Sequence, residues 1–268
     1  MARVLAISSQ VARGAIGLSA SVPALQTLGH EVIALPTILL SNHPGHAHFA
    51  GERVAPELLR RMLQALAENG WLASIDAVLT GYLPSAEHVA MASEAIDAVR
   101  DANERVIYLC DPILGDEPKG LYIAEAAANA IRDMLVPKAD VLKMNRFECG
   151  WLARAVVTDT DGATMASRDM GWRAAVVTSL RGAQAGTLAN AVIETGTDAV
   201  EIAATLRPDA PKGTGDLMSG LLLGHLLRDP AGLPAACRQA VAGVDLVIAR
   251  SAGADELQLA ACLKELRS

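Results

Sequence analysis

The sequence predicts a three-layer α/β/α sandwich, in which a central, mostly parallel sheet is covered by helices on both faces. Three observations support this fold class. Short apolar runs alternate with segments of helical periodicity along the chain, 51% of the residues are hydrophobic, and polar residues repeatedly follow the apolar runs. The 268 residues include no linker-like or low-complexity stretch. We therefore predict a single domain over residues 1–268.

The first part of the chain contains apolar runs of four or five residues, which predict buried strands. These strands are Arg3–Ile7, Val32–Leu35, Ala77–Thr80 and Val106–Cys110. Small and apolar residues at helical spacing between them predict the helices Gly14–Leu28, Val54–Asn69 and Ser85–Arg100. The segment Ser41–Gly51, which is rich in histidine and glycine, is predicted to be a loop.

The second part of the chain continues the alternation and then ends in helices. The predicted strands are Val141–Lys143 and Ala174–Thr178, followed by a β-hairpin made of Gly186–Glu194 and Ala199–Ala204. The predicted helices are Tyr122–Leu135, Arg146–Ala155 and Asp161–Met170, and three more that begin at Asp216, Pro234 and Asp255.

Composition narrows the class of protein. The net charge of −7 and the lack of any Lys/Arg cluster argue against nucleic acid as a partner. The longest apolar run, Leu217–Leu227, is too short to span a membrane. The N-terminus leads into a strand without a secretory signal pattern, and the four cysteines show neither metal-site nor disulfide spacing. We therefore expect a cytoplasmic protein with no membrane partner, whose cysteines are small core residues.

Polar residues end the predicted strands, and this pattern predicts where a ligand binds. In open α/β sheets the ligand lies beyond the carboxyl ends of the strands. The residues expected in this crevice are Ser9, Thr37 to His43, Tyr82, Asp111, Asn145, Thr178 and Ser179, together with Gly213 to Asp216.

The stretch Pro211–Gly220 predicts a tight glycine loop that leads directly into the N-terminus of a buried helix. Such a terminus has backbone N–H groups without intrahelical partners, and glycines let a ligand approach them closely. The loop is therefore a candidate phosphate site, and Asp216 is placed to take a proton from a hydroxyl group. The alternative is a glycine turn in which Asp216 is a helix N-cap.

Five segments in order resemble the pyridoxal kinase branch of the ribokinase-type superfamily of small-molecule kinases. The segment Cys110–Asp116 resembles the family's Cys-Asp-Pro-Val-Met/Leu-Gly-Asp motif, which is the most specific of the five. The others are Ser41–His43, Gly81–Glu87, Asn145–Glu148 and Gly213–Asp216. The resemblance covers nearly the whole chain and implies a ribokinase-like fold.

The resemblance implies that ATP phosphorylates the 5′-hydroxymethyl group of a B6 vitamer: pyridoxal, pyridoxamine or pyridoxine. It makes Asp216 the base, with Gly213, Thr214 and Gly215 stabilising the transferring phosphoryl group. It places the vitamer at Ser9, Thr37, His43, Tyr82 and Asp216. It places ATP and Mg²⁺ at Asp111, Asn145, Glu148, Thr178, Ser179, Lys212, Gly213 and Gly215, with Asp111 and Glu148 nearest to the metal. It also implies a homodimer and leaves room for a monovalent cation.

Several residues depart from the family pattern or allow another interpretation. Lys143-Met144 stands where the family has Thr-Pro, and the segment after Ser9 lacks the family's aromatic and histidine residues. Asn145 and Glu148 also fit a helix capping box. A hydroxymethylpyrimidine kinase of the same superfamily is the nearest alternative function. Two further alternatives are a zinc site at His43, His46 and His48 and a vitamer-binding regulator without catalysis.

Overall fold

The computed structural model describes residues 1–228 and 231–267, and strands and helices alternate along them as the sequence predicts. The strands are β1 (Arg3–Val11), β2 (Glu31–Leu40), β3 (Gly51–Arg53), β4 (Ala77–Thr80), β5 (Ile107–Cys110), β6 (Gly115–Asp116), β7 (Gly120–Leu121), β8 (Val141–Asn145), β9 (Ala174–Arg181), β10 (Thr187–Glu194) and β11 (Val200–Thr205). The helices are α1 (Leu18–Thr27), α2 (Pro56–Glu68), α3 (Ala86–Ala102), α4 (Glu125–Ala130), α5 (Arg146–Ala153), α6 (Thr160–Asp169), α7 (Thr214–Arg228), α8 (Leu233–Arg250) and α9 (Leu259–Leu266).

Within the described residues, nine strands form one sheet in the order β11-β10-β9-β8-β5-β4-β1-β2-β3. The six strands from β9 to β2 in this order are parallel to one another, whereas β3, β10 and β11 pair antiparallel at the two edges. The sheet is therefore mostly parallel, as predicted, and the predicted hairpin is β10–β11. Strands β6 and β7 form a separate small hairpin.

The pleat of the strands divides the core into two layers. In β1, Leu5 and Ile7 join the cluster that includes buried residues of α2 to α6. Their neighbours Val4 and Ala6 join the opposite cluster, with buried residues of α1, α7, α8 and α9. Successive side chains of a strand point to opposite faces, so a sheet buried on both faces needs apolar residues at consecutive positions. This is the three-layer α/β/α sandwich that the sequence predicts.

Most predicted elements lie within a few residues of their observed positions. The helix predicted over Tyr122–Leu135 is α-helical over Glu125–Ala130 and π-helical over Ile131–Leu135, and the helix predicted from Asp255 begins at Leu259. The predicted helix Gly14–Leu28 begins only at Leu18, because Gly14 and Gly17 adopt positive φ angles of 103° and 58° and keep the preceding segment out of the helix. Strands β1 and β2 continue further than predicted, with a register irregularity between Ser8 and Gln10. Strands β3, β6 and β7 were not predicted.

The four cysteines are buried and free, as expected for small core residues. None of the described helices is long and apolar enough to cross a membrane.

Candidate active site

The register of the parallel strands brings four polar or small residues to one level at their carboxyl ends. Ile7 of β1 is paired with Thr80 of β4, Thr80 with Cys110 of β5, and Cys110 with Leu142 of β8. The residues that follow these four are Ser8, Gly81, Asp111 and Lys143. A small cavity opens here, and its lining includes Ser8, Thr80, Gly81, Asp111, Asp216 and Ser219.

Residues Gly213 to Asp216 form the turn and the first turn of α7 beside this cavity. Gly213 has a φ of 102°, and a Cβ at this position would collide with the carbonyl oxygen of Ala15, so glycine is required. The helix begins at Thr214 and runs for 15 residues. Asp216 therefore lies within the first turn instead of at the N-cap. The first N–H groups of α7 have no intrahelical partner and can bind an anion.

Asp111 is the centre of a buried polar network. Its Oδ2 accepts hydrogen bonds from Lys143 Nζ (2.9 Å) and Ser219 Oγ (2.6 Å). Asp111 and Lys143 are only 2% and 4% exposed. Among the residues that the structure describes, no donor reaches Asp111 Oδ1, although this oxygen is buried. A buried, unpaired carboxylate oxygen costs free energy unless a ligand or cation engages it.

Asn145 and Glu148 form a capping box at the start of α5, one of the two roles that the sequence predicts for them. The backbone N–H of Glu148 donates to Asn145 Oδ1 (2.9 Å), and that of Asn145 donates to Glu148 Oε2 (2.8 Å). Glu148 Oε1 also accepts from the N–H of Leu114 (2.9 Å). The capping box therefore joins the start of α5 to the loop that follows Asp111.

Two carboxyl groups of the site have raised pKa values. Burial, followed by the charge of Asp111, raises the pKa of Asp216 to about 6, against the lowering effect of a hydrogen bond from the Gly17 N–H. The same two causes raise the pKa of Glu148 to about 7, against the positive charge of Lys143. Burial alone would lower the pKa of Lys143, but the nearby carboxylates, first Asp111, raise it above its ordinary value. Lys143 therefore stays charged.

The predicted vitamer residues lie on the β1, β2 and β4 side of the crevice. The Thr37 hydroxyl donates to the carbonyl oxygen of Tyr82 (2.7 Å), so Thr37 orients the Tyr82 backbone. The Tyr82 N–H donates to Ser8 Oγ (3.0 Å), and Ser8 lines the cavity with Asp216. Ser9 is buried beside Gly17, where a Cβ on the glycine would collide with Ser9. Ser8, which the sequence analysis did not select, is therefore the serine of β1 on the cavity wall.

His43 lies in the segment Ser41–Gly51, which we call the histidine loop. Its Nδ1 accepts a hydrogen bond from the Gly45 N–H (2.9 Å). Burial and then the positive charges of Lys212 and Lys119 lower its pKa, so the imidazole is neutral at neutral pH. His46 Nε2 lies 3.2 Å from Glu256 Oε1, and Arg13 Nη1 lies 3.6 Å from the same oxygen. Glu256 thus connects the histidine loop to the segment before α1.

The predicted nucleotide residues extend along the other side of the crevice. Thr178 of β9 is paired with Asn145 of β8, and Ser179 follows it with a φ of 61° and an exposed side chain. Lys212 is exposed just before Gly213. These residues do not line the cavity around Asp216, so they form a separate, open part of the same edge.

Lys143, Ser219 and Glu256 are site residues that the sequence analysis did not select. Lys143 carried a signal, since it is the only charged residue in β8 and stands between the apolar residues Leu142 and Met144. Ser219 follows Asp216 by three residues, a spacing that puts both on one face of a helix. For Glu256 we find no such signal, because its contacts depend on how the C-terminal segment packs.

No group of three or more His, Cys, Asp and Glu side chains converges as a metal site anywhere in residues 1–228 and 231–267. The zinc alternative for the histidine loop therefore has no geometric support, since His43 and His46 have other partners.

Known proteins resemble this chain along almost its full length. A family model described as phosphomethylpyrimidine kinase matches residues 12–259. The pyridoxal kinase PdxY of Rubrobacter xylanophilus is 35% identical over 270 residues, which cover 98% of this chain and 93% of that protein. A pyridoxal kinase structure from Leishmania donovani, in complex with ADP and pyridoxine, has a TM-score of 0.91 and 26% identity, covering 99% of this chain and 95% of that one.

A pyridoxal kinase structure from Entamoeba histolytica, with a TM-score of 0.92 and 24% identity, covers 100% of this chain and 96% of that one and shows that the fold is shared. These likenesses agree with the resemblance that the five segments indicated. The chain belongs to the phosphomethylpyrimidine kinase family and, within it, to the pyridoxal kinases of the ribokinase-like superfamily.

Proposed function

We propose that this protein transfers the γ-phosphoryl group of ATP to the 5′-hydroxymethyl group of a B6 vitamer, as part of the salvage of vitamin B6. The observation that carries this proposal is Asp216, a carboxylate with a raised pKa in the first turn of α7, in the same cavity as Asp111. Related pyridoxal kinase structures hold ADP with pyridoxine or with pyridoxamine. We further propose that residues 1–268 act as one kinase domain.

Asp216 is the general base in this proposal. It accepts the proton of the vitamer hydroxyl as the oxygen–phosphorus bond forms and the bond to the leaving ADP breaks. A carboxyl group with a pKa of about 6 is mostly ionised at neutral pH and is a stronger base than an ordinary Asp. The N–H groups of Gly213, Thr214 and Gly215 stabilise the charge on the transferring phosphoryl group, because they are already oriented before the reaction.

Asp111 and Glu148 are the residues that would hold Mg²⁺ together with the nucleotide phosphates. The free Oδ1 of Asp111 fits this role, because it is a buried carboxylate oxygen without a donor among the described residues. Glu148 already accepts backbone N–H groups with both oxygens, so it fits better as a ligand through water. Mg²⁺ retains waters and takes one or two carboxylates plus phosphate oxygens, and it neutralises charge on the phosphates.

ATP would lie along the open part of the crevice. We propose that Asn145, Thr178, Ser179, Lys212, Gly213 and Gly215 contact the nucleotide. Lys212 supplies an exposed positive charge beside the anion-binding turn, and Ser179 presents a hydroxyl group next to the strand pair β8–β9.

The vitamer would lie between Asp216 and the histidine loop. Ser9, Thr37, His43 and Tyr82 border this side, and neutral His43 can donate or accept a hydrogen bond. Tyr82 is half-buried and offers an aromatic face for the pyridine ring. The loop would close over the vitamer and exclude water that otherwise hydrolyses ATP.

A substrate panel tests the proposed function. Purified protein is given ATP and Mg²⁺ with pyridoxal, pyridoxamine, pyridoxine or hydroxymethylpyrimidine, and ADP release is measured by a coupled assay. We expect turnover with at least one B6 vitamer. A preference for hydroxymethylpyrimidine would favour the alternative kinase. Binding of a vitamer without ADP release would indicate the non-catalytic regulator.

We also propose that the protein is a homodimer, which light scattering tests, and that it is cytoplasmic, which cell fractionation tests.

A further inference from the structure

Lys143 is a charged residue in the interior of the sheet. It is 4% exposed, and within the part of the chain that the structure describes it is the one buried lysine or arginine. Lysine is almost never fully buried unless it is paired. Lys143 lies two residues after Val141 in β8, so its side chain points to the face covered by α7. Its ammonium group meets Asp111 there.

We propose that the Lys143 ammonium group is the fixed cation of the phosphate-transfer site and takes the place of a bound monovalent cation beside Asp111. This inference rests on the proposed kinase function. Lys143 is a positioning residue in it, because it donates to Asp111 and lies beside Gly215 in the first turn of α7, and not against the reacting atoms.

The charge balance of the site requires a cation at this point. The carboxyl groups of Asp111, Glu148 and Asp216 all act electrostatically on Lys143. ATP brings further negative charge to the same crevice. Without a nearby positive charge, a buried carboxylate such as Asp111 would be strongly destabilised and would repel the phosphates. Mg²⁺ arrives with the nucleotide, whereas Lys143 supplies its charge to the empty site as well.

The geometry of Asp111 shows what this cation positions. Lys143 and Ser219 both donate to Oδ2, so this oxygen is held in place and Oδ1 is left without a donor among the described residues. The side chain is therefore oriented with one oxygen committed to the protein and the other free. The nearest group to an ideal Cβ on Gly215 is Lys143 Nζ, at 3.3 Å. The positive charge thus lies directly beneath the turn whose N–H groups would bind the phosphoryl group.

An ammonium group and a monovalent metal ion carry the same charge, but lysine is attached to the chain. The charge of the lysine is therefore present at the site whatever salt is in solution. The sequence has Lys143 at a position where the resembling kinases have Thr, which offers an oxygen ligand but no charge. We therefore expect the wild-type enzyme to work equally well in the absence of small monovalent cations.

The first test uses the wild-type protein. Its kcat/KM for ATP is measured with the best vitamer in about 0.1 M potassium chloride, ammonium chloride or choline chloride, so that screening is equal in all three. The expected result is less than about a twofold difference, since the site already holds its cation. Stimulation by potassium of about tenfold or more over choline would overturn the proposal, because a fixed charge would then not suffice.

The second test uses Lys143→Thr, with Lys138→Thr as the matched control. Lys138 is also paired with an aspartate, Asp97, but is half-buried outside the site, and neither residue lines the cavity. In choline, Lys143→Thr should lose roughly 10²-fold in kcat, as when one preorganised electrostatic group is removed. Potassium or ammonium should raise the kcat of this variant about tenfold, because the ion enters the position that the ammonium group has left. Lys138→Thr should stay close to wild type in every salt.

The thermal unfolding midpoint gives a readout that does not depend on activity. Potassium should raise the midpoint of Lys143→Thr relative to choline, because a bound cation stabilises the folded state, and should not do so for wild type or Lys138→Thr.

Loss of activity in Lys143→Thr without rescue and without this stabilisation would overturn the proposal. If the variant does not fold, the salt dependence of the wild type still decides. If the wild type phosphorylates no vitamer, the proposed function fails, and the midpoints still test Lys143.

Discussion

The two sides of the crevice differ in how firmly their residues are held. The acidic cluster, defined as Asp111, Lys143, Glu148, Asp216 and Ser219, is made of buried or half-buried groups. Lys143 and Ser219 donate hydrogen bonds to Asp111, whereas Glu148 and Asp216 accept from the backbone N–H groups of Leu114 and Gly17. The histidine loop is mostly exposed, and its side-chain hydrogen bonds are chiefly within the loop. It is joined to the rest of the protein by the side-chain contact of His46 with Glu256, by the hydrogen bond from the Arg13 N–H to the Ser41 carbonyl oxygen, and by the pairing of Gly51 with Leu40.

This difference indicates a division of tasks. Stabilisation of a transferring phosphoryl group depends on charges and dipoles that are fixed before the reaction, so the acidic cluster should be sensitive to single substitutions. A loop that closes on the vitamer has to move. The contacts that hold it against the rest of the protein must therefore contribute little free energy. Substitutions in the histidine loop should therefore change vitamer affinity more than turnover. The following predictions test this contrast, from the largest expected effect to the smallest.

Asp216→Asn should produce the largest loss. The amide cannot accept the proton of the vitamer hydroxyl, so kcat should fall by roughly 10² to 10⁴ while ATP and vitamer affinities change little. Steady-state kinetics and calorimetric binding measure the two effects separately. Asp198→Asn, at an exposed position between β10 and β11, is the control. An Asp216→Asn enzyme with more than about a third of wild-type activity would rule out Asp216 as the base.

The pH profile should show the ionisation of the same group. The base works only when ionised, so kcat/KM for the vitamer should rise with pH through about 6, the raised pKa of Asp216, and level off about one pH unit higher. Below that midpoint the slope should be about tenfold per pH unit. A profile that is flat from pH 5 to 8 would contradict the assignment.

Glu148→Gln should act on the metal. We expect the Mg²⁺ concentration for half-maximal activity to rise by about tenfold, as for other groups that orient metal ligands, with little change in vitamer KM. The amide also replaces an acceptor of backbone N–H groups, so the free energy of unfolding should fall by roughly 1–3 kcal/mol. Glu125→Gln, at an exposed position in α4, is the control. A change confined to vitamer KM would show that Glu148 acts on the vitamer and not on the metal.

His43→Ala should have the smallest effect of the set. It should weaken vitamer binding by about fivefold to tenfold, the value of one hydrogen bond, and leave ATP binding unchanged. His46→Ala and His48→Ala should do much less. Vitamer affinities of the three variants, measured with and without a zinc chelator, check this pattern. A zinc site would instead make the three losses equal. The chelator would then reproduce the loss in the wild type, and added zinc would reverse it.

The sequence by itself determined the fold class and the order of most elements. Consecutive apolar residues in β4 and β5, together with helical periodicity between them, are local patterns with a local physical cause. The same holds for Gly213–Asp216, where glycines beside a threonine and an acid predict a loop at a helix start. The strand-end rule then placed Asp111, Asn145 and Asp216 at one edge of the sheet.

Only the tertiary structure decided which of these side chains meet. Lys143 and Ser219 are 32 and 108 residues from Asp111 along the chain, and both donate to the same oxygen. Such contacts depend on strand order, on the register between β5 and β8 and on the position of α7 over the sheet, none of which a local pattern encodes. The segment before α1 is another example: its helical periodicity was overridden because Gly17 supplies an N–H group to Asp216 and Ala15 packs against Gly213. Burial inside the assembled sheet also produced the raised pKa of Asp216, because desolvation acts only once the layers have closed around it.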